Sequence, residues 1–218
     1  MRLLRSAAMQ GDPGPQPLRY ASINGRQLFA MASAWPELAT GRLTGTYHAV
    51  GRERTQIMDA AFEIVTTRGF DSLRPASMIF EHMSLGPPAQ LAITLGCRGP
   101  FFSFEADPLS GIIALQQAVE DLEEGRCEQA LVLSYMLEPP AAWALLLDGE
   151  GPLRAAFRYG GGEVAAVEPA YDRDPHGLGA LIQALEAATT GSPAIVLARA
   201  PGGRQVSVRF ETAGAGPT

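Results

Sequence analysis

Apolar positions recur along this chain with two periods. From Asn24 to Leu38, the residues Leu28, Phe29, Met31 and Ala32 share one face of a 3.6-residue repeat, which predicts a helix. Arg42 to Val50 is strand-like, with Leu43, Tyr47 and Val50 in it. Arg52 to Thr67 returns to helical spacing through Ile57, Ala61, Ile64 and Val65. Ala76 to Leu85 fits neither period, and Pro87-Pro88 interrupts it. Ala89 to Leu95 reads as a helix ended by Gly96. Pro100 to Phe104 is a short run of apolar and small residues, the pattern of a buried strand. Leu109 to Glu124 is the clearest helix. Ile112, Ile113, Leu115, Val119 and Leu122 lie on one side, Glu120, Asp121, Glu123 and Glu124 gather near its end, and Gly125 stops it.

The second half continues the alternation. Gln129 to Leu137 and Ala142 to Leu147 read as strands, and Leu153 to Tyr159 adds a third. Pro175 to Thr189 is a helix. Ala194 to Ala198 and Gln205 to Phe210 close the chain as strands, the latter alternating Val206, Val208 and Phe210. Strands interleaved with helices predict a layered α/β fold. Gly11 to Pro17 holds three prolines and two glycines, so residues 1–17 are expected to be a flexible lead-in. Residues 18–212 then form one domain, and 213–218 a Gly/Pro-rich disordered tail.

A chain of 218 residues, 46% of them hydrophobic, can bury a sizeable core. The longest apolar run, Ala141 to Leu147, is far too short to span a bilayer. Met1 to Gln10 lacks the apolar stretch of a signal peptide, which predicts a cytoplasmic protein. A formal net charge of −6 disfavours nucleic-acid binding. All basic residues are arginines, so neither a Schiff-base lysine nor a phosphate-loop lysine is available. Cys97 and Cys127 do not make a disulfide framework.

Few residues offer chemistry. His48, His82 and His176 are scattered without ligand spacing, so no metal site and no cofactor is expected. Gly160-Gly161-Gly162 lacks the G-x-G-x-x-G pattern and reads as a turn. Glu105-Ala106-Asp107-Pro108-Leu109-Ser110-Gly111 joins the apolar run to the best helix. A strand-to-helix turn can present a nucleophile at a helix N-terminus, where the dipole favours negative charge. Pro108 suits the first turn of a helix but cannot be a nucleophile. Asp107 is expected to cap the helix, and Ser110 has no evident base.

The stretch from Ala89 to Leu147 resembles the N-terminal half of β-ketoacyl synthases, which have the thiolase fold. It shows Leu95-Gly96-Cys97-Arg98-Gly99-Pro100, then Phe101 to Glu105, then an elbow before Ser110-Gly111, then a long helix leading into Gly125-Arg126-Cys127 and an apolar strand. Upstream, Gly51-Arg52-Glu53-Arg54-Thr55 resembles a segment of the synthase-like proteins of aryl polyene gene clusters, so the likeness covers Arg42 to Leu147.

The resemblance implies a thiolase-like layered α/β fold, a mixed sheet with helices, present as the N-terminal half of a ketosynthase only. Counting back from Ser110-Gly111 places the family's nucleophilic cysteine at Pro108. A full synthase is far longer, and the two histidines of its second half have no counterpart motif here. The family's chain length factors of type II polyketide systems have lost the cysteine and pair with an active ketosynthase.

The implied function is therefore a non-catalytic subunit, a pseudoenzyme. It would heterodimerise with an active β-ketoacyl synthase and shape its acyl tunnel, with an acyl carrier protein as transient partner. The implied partner interface is Phe101, Phe102, Ser103, Phe104, Glu105, Ala106 and Asp107. The implied tunnel residues are Met78, Phe80 and Met83, which as ordinary core would be equally at home. Two alternatives stand beside this: a stand-alone acyltransferase or hydrolase using Ser110 or Cys97, and a structural homodimer reusing the fold.

Overall fold

The computed structural model describes residues 1–16, 22–51, 53–69, 86–160 and 173–212. Among the described residues, five helices and eight strands follow one another. They are β1 (Arg2–Gln10), α1 (Ile23–Ala32), β2 (Thr44–Val50), α2 (Glu53–Arg68), α3 (Gly86–Leu95), β3 (Phe101–Glu105), α4 (Ser110–Glu123), β4 (Gln129–Met136), β5 (Ala141–Asp148), β6 (Leu153–Tyr159), α5 (Leu178–Thr189), β7 (Ala194–Arg199) and β8 (Gln205–Thr212). Short 3-10 turns lie at Pro36–Thr40 and Asp107–Leu109.

A five-stranded mixed sheet runs in the order β1-β5-β4-β2-β3. Strand β2 pairs parallel with both β3 and β4, while β5 is antiparallel to β4 and β1. Alternation then sorts the side chains. Leu131, Leu133, Tyr135, Ala144 and Leu146 face a layer containing Leu28, Phe29 and Met31 of α1 and Leu91 of α3. Val132, Leu145 and Leu147 face the other way, onto Ile112, Leu115 and Val119 of α4 and Leu181 and Leu185 of α5. The same cluster takes in Val196, Val208 and Phe210 from a second sheet, ordered β6-β8-β7. Helices α4 and α5 are thus sandwiched between two sheets, and the described residues after 150 join the same core through Leu153, Val196, Val208 and Phe210. Each fully buried leucine here contributes about 1.5–3 kcal/mol relative to exposure.

Local chemistry sets the ends. Ser22 caps α1 by accepting from the Gly25 N–H at 3.1 Å. The helix expected to run to Leu38 ends at Ala32, and Pro36 opens the 3-10 turn instead. The helix expected from Ala89 starts earlier, at Gly86, with Pro87 and Pro88 in its first turn, where no N–H is required. Gly125, at a φ of 70°, closes α4 while the Arg126 N–H reaches back to Asp121 O at 2.8 Å.

The lead-in expected over residues 1–17 is corrected in its first part. Arg2–Gln10 is strand β1, held along the whole of β5. A register shift between Leu3 and Arg5 breaks the period of two. Leu4 and Ala7, an odd number of residues apart, therefore share the α1 layer with Met9, while Leu3 packs with the α4 layer. The tail, 213–218, lies outside the described residues.

Candidate functional site

Among the described residues, strand β3 is the edge of the main sheet, with one neighbour, β2. The expectation of a buried strand is corrected: Phe101 is 39% and Phe102 43% exposed. The run is apolar, yet an edge strand has half its surroundings missing. Phe102 stacks on the buried Tyr47 with ring centroids 6.2 Å apart, and Phe104 lies 6.0 Å from Phe102. On the opposite face, Ser103 Oγ is 3.4 Å from Nδ1 of His48, whose ring stacks on Tyr135 at 5.2 Å. Burial, with a smaller contribution from His176, holds His48 down at about 3, so it is neutral near pH 7.

Tyr47 also anchors the strand layer to α4. Its hydroxyl donates to Asp121 Oδ2 at 2.6 Å, while Gln117 and Arg126 each hold Asp121 Oδ1 at 2.8 Å. Burial and then the Asp121 contact push the Tyr47 phenol above its ordinary value.

At the end of β3 the chain turns through Asp107–Leu109 into α4. The cap of that helix is Leu109 and not Asp107, because the 3-10 turn intervenes. Pro108 sits inside this turn. Ser110 is fully buried and its hydroxyl is engaged twice: it donates to the Val50 carbonyl and accepts from the Ala106 N–H at 3.0 Å. It is a clasp between β2 and the elbow, with its proton committed to a main-chain oxygen.

The next residue is engaged too. The Gly111 N–H donates to the His176 carbonyl at 3.0 Å, and a Cβ on Gly111 would collide with that oxygen. Asp174 fixes the covering segment by accepting from the Ala180 N–H at 3.0 Å, at the start of α5. Burial pushes its carboxyl above the usual range, against the main-chain hydrogen bonds that lower it. Segment Asp174–Gly177 thus sits directly on the first turn of α4. Sequence reasoning missed this role, since the contact uses the backbone of His176. The only trace is glycine on both sides, at Gly111 and at Gly177, whose φ is 72°.

The other candidates do not converge on the elbow. Cys97 precedes β3 and Ser110 follows it, so they stand at opposite ends of a five-residue strand, roughly 16 Å. Burial pushes the Cys97 thiol up, away from the reactive thiolate. Cys127 is buried 3.5 Å from the Tyr47 hydroxyl, and burial raises its thiol as well. Met78, Phe80, Met83 and His82 lie outside the described residues. Among the described residues, no group of His, Cys, Asp and Glu is placed to hold a metal, and no helix is long and apolar enough to cross a membrane.

A family model described as the N-terminal domain of β-ketoacyl synthases matches residues 16–149. No curated protein matches the chain in sequence. Among solved structures, the ishigamide ketosynthase/chain length factor is similar at a TM-score of 0.58 and 17% identity, over 79% of this chain and 74% of that one. The ketosynthase AntDE with the type II acyl-carrier protein AntF gives 0.63 and 12%, over 89% and 84%. The ketosynthase ApeO in complex with its chain length factor ApeC, from Xenorhabdus doucetiae, gives 0.60 and 12%, over 88% and 78%. At such identities these likenesses show the fold, a thiolase-like ketosynthase fold.

Proposed function

This chain belongs to the β-ketoacyl synthase family, and we propose that within it the chain serves as a non-catalytic subunit of the chain-length-factor type. It pairs in the cytoplasm with an active ketosynthase and bounds the tunnel that holds a growing acyl chain. The observation that carries this reading is the occupied elbow. Pro108 stands where the family's nucleophile is expected, the Ser110 hydroxyl is committed to Val50, and the Gly111 N–H is committed to His176. Thiolate chemistry at a helix N-terminus needs a free nucleophile and free N–H groups.

The open edge of β3 supports the pairing. Among the described residues β3 pairs with β2 alone, and a sheet edge with exposed phenylalanines is a template for another strand. The proposed interface is Phe101 to Asp107, and Met78, Phe80 and Met83 are the proposed tunnel lining. An acyl carrier protein is the transient partner, as in the AntDE–AntF complex, and polyene synthesis of the aryl polyene kind is the proposed pathway.

Co-expression with an active β-ketoacyl synthase from the same organism tests the reading. The two chains are expected to co-elute in a one-to-one complex. Acyl label should appear on the ketosynthase alone, and Phe102→Glu should weaken co-elution by at least about tenfold, the cost of an anchor residue in an interface. Acylation of the isolated chain, mapped by mass spectrometry to Ser110 or Cys97, overturns it in favour of an acyltransferase or hydrolase. A soluble homodimer that ignores the ketosynthase also overturns it.

A further inference from the structure

Asp174, Pro175, His176 and Gly177 close a β-turn, with the Gly177 N–H donating to the Asp174 carbonyl at 3.0 Å. The residue order suits it: aspartate opens such turns, proline presets the next position and glycine closes them. The turn is tied at two points. At one, the His176 carbonyl accepts from the Gly111 N–H of the elbow at 3.0 Å. At the other, the buried Asp174 carboxylate accepts through Oδ2 from the Ala180 N–H at 3.0 Å, and the amides of Leu178 and Gly179 bind it too. The elbow is therefore covered by a turn anchored on one buried carboxylate.

That anchor is half satisfied. Its other oxygen, Oδ1, is buried with no hydrogen-bond partner among the described residues. Ionising a carboxyl in such a place costs free energy that the neutral form does not. Room for the anchor comes from a missing side chain, since a Cβ on Gly179 would stand 3.0 Å from both Asp174 Oδ2 and Trp143 Nε1. The titratable group acting on Asp174 is His176 of the same turn. Helix α5 turns main-chain amides toward it, and β5 brings the uncharged Trp143 indole. Behind His176, His48 of β2 is held down at about 3 and stays neutral above that. Arg173, the preceding residue, is exposed.

We infer that the turn Asp174–Gly177 is a proton-sensitive latch on the elbow, firm while the Asp174 carboxyl is neutral and loosened when it ionises. The direction follows from burial. In the covered state burial holds the carboxyl above its ordinary value, near 3.8. Once the turn lifts, water surrounds the carboxyl and restores that ordinary value. Covering is therefore strongest below about 3.8 and weakens as pH rises through the raised value. Because one closed turn carries both ties, loosening at Asp174 is passed to the His176 carbonyl and uncovers the first turn of α4. The inference does not rest on the ketosynthase pairing, which uses the edge of the main sheet.

Hydrogen exchange of the full chain, read at single amides by NMR from about pH 4 to about pH 7 and corrected for the intrinsic effect of hydroxide, tests it. Protection of the Gly111 amide should fall by at least about threefold across that range, since linkage is worth about tenfold for each pH unit between the covered and open values. The Val132 amide, on strand β4 that is paired on both sides, should not follow it. Asp174→Asn keeps the shape and cannot ionise, so Gly111 protection should stay flat. Gly179→Ala crowds the carboxylate off α5 and should lower Gly111 protection at every pH. Flat protection in the wild type, pH dependence that survives Asp174→Asn, or unchanged protection in Gly179→Ala overturns the inference. So does a fall at Val132 equal to that at Gly111, which would make the effect global. If either variant does not fold, the wild-type contrast between Gly111 and Val132 decides by the same criteria.

Discussion

The smallest feature with a large effect is the missing Cβ of Gly111. Its amide donates to the His176 carbonyl at 3.0 Å, and any side chain would strike that oxygen. Backbone cannot step aside as a flexible side chain does. Gly111→Ala is therefore expected to cost about 1–3 kcal/mol, the usual price of overpacking, measured as a lower urea midpoint with unchanged slope. The sequence marks Gly111 as part of a family elbow, and in that it was legible. What it hides is why glycine is needed, since the opposing atom belongs to a main chain much later in the sequence. Ser110 was legible in the same partial way: a hydroxyl at an elbow is visible from the sequence, but its commitment to Val50 is not.

At the scale of elements, periodicity located those that bury one face, such as α4 and β8, while continuous apolar runs marked β4 and β5, which are buried on both. Both signals failed elsewhere. Strand β1 carries a register shift, so Leu4 and Ala7, an odd number of residues apart, face the same layer and no clean alternation survives. Strand β3 reads as buried because its residues are apolar, yet burial depends on what lies beyond the edge, which the sequence does not encode. In a parallel ladder alternate residues of an edge strand turn both main-chain groups away from their neighbour. With Thr46 donating to Pro100 and standing opposite Phe101, those residues include Phe101 and Ser103. Their amides are expected to exchange rapidly with deuterium in the isolated chain. In the proposed complex they should slow by at least about tenfold as a second strand pairs with them. Unchanged exchange in a stable complex would place the interface elsewhere.

For the whole molecule, the decisive arrangement is the layer of α4 and α5 between two sheets. The matched family segment ends at residue 149, before the second sheet begins. Yet Ile112, Leu115 and Val119 belong to the same core as Val196, Val208 and Phe210. A chain cut after Gly149 would expose one side of α4, so it is expected to be insoluble or to bind a hydrophobic dye with no cooperative melt. A sharp melt in that fragment would show the first sheet to be self-sufficient.

The contact between Gly111 and His176 also sets an order of events at the ribosome. The elbow leaves the exit tunnel roughly sixty-five residues before its cover, which at about 5–20 residues per second is a delay of about 3–13 s. During that interval α4 has one apolar side open and β3 is already made. A nascent chain in this state needs shelter, either from a chaperone or from the ketosynthase partner proposed above. Translation of that proposed pair from one message would supply the shelter at the moment it is needed.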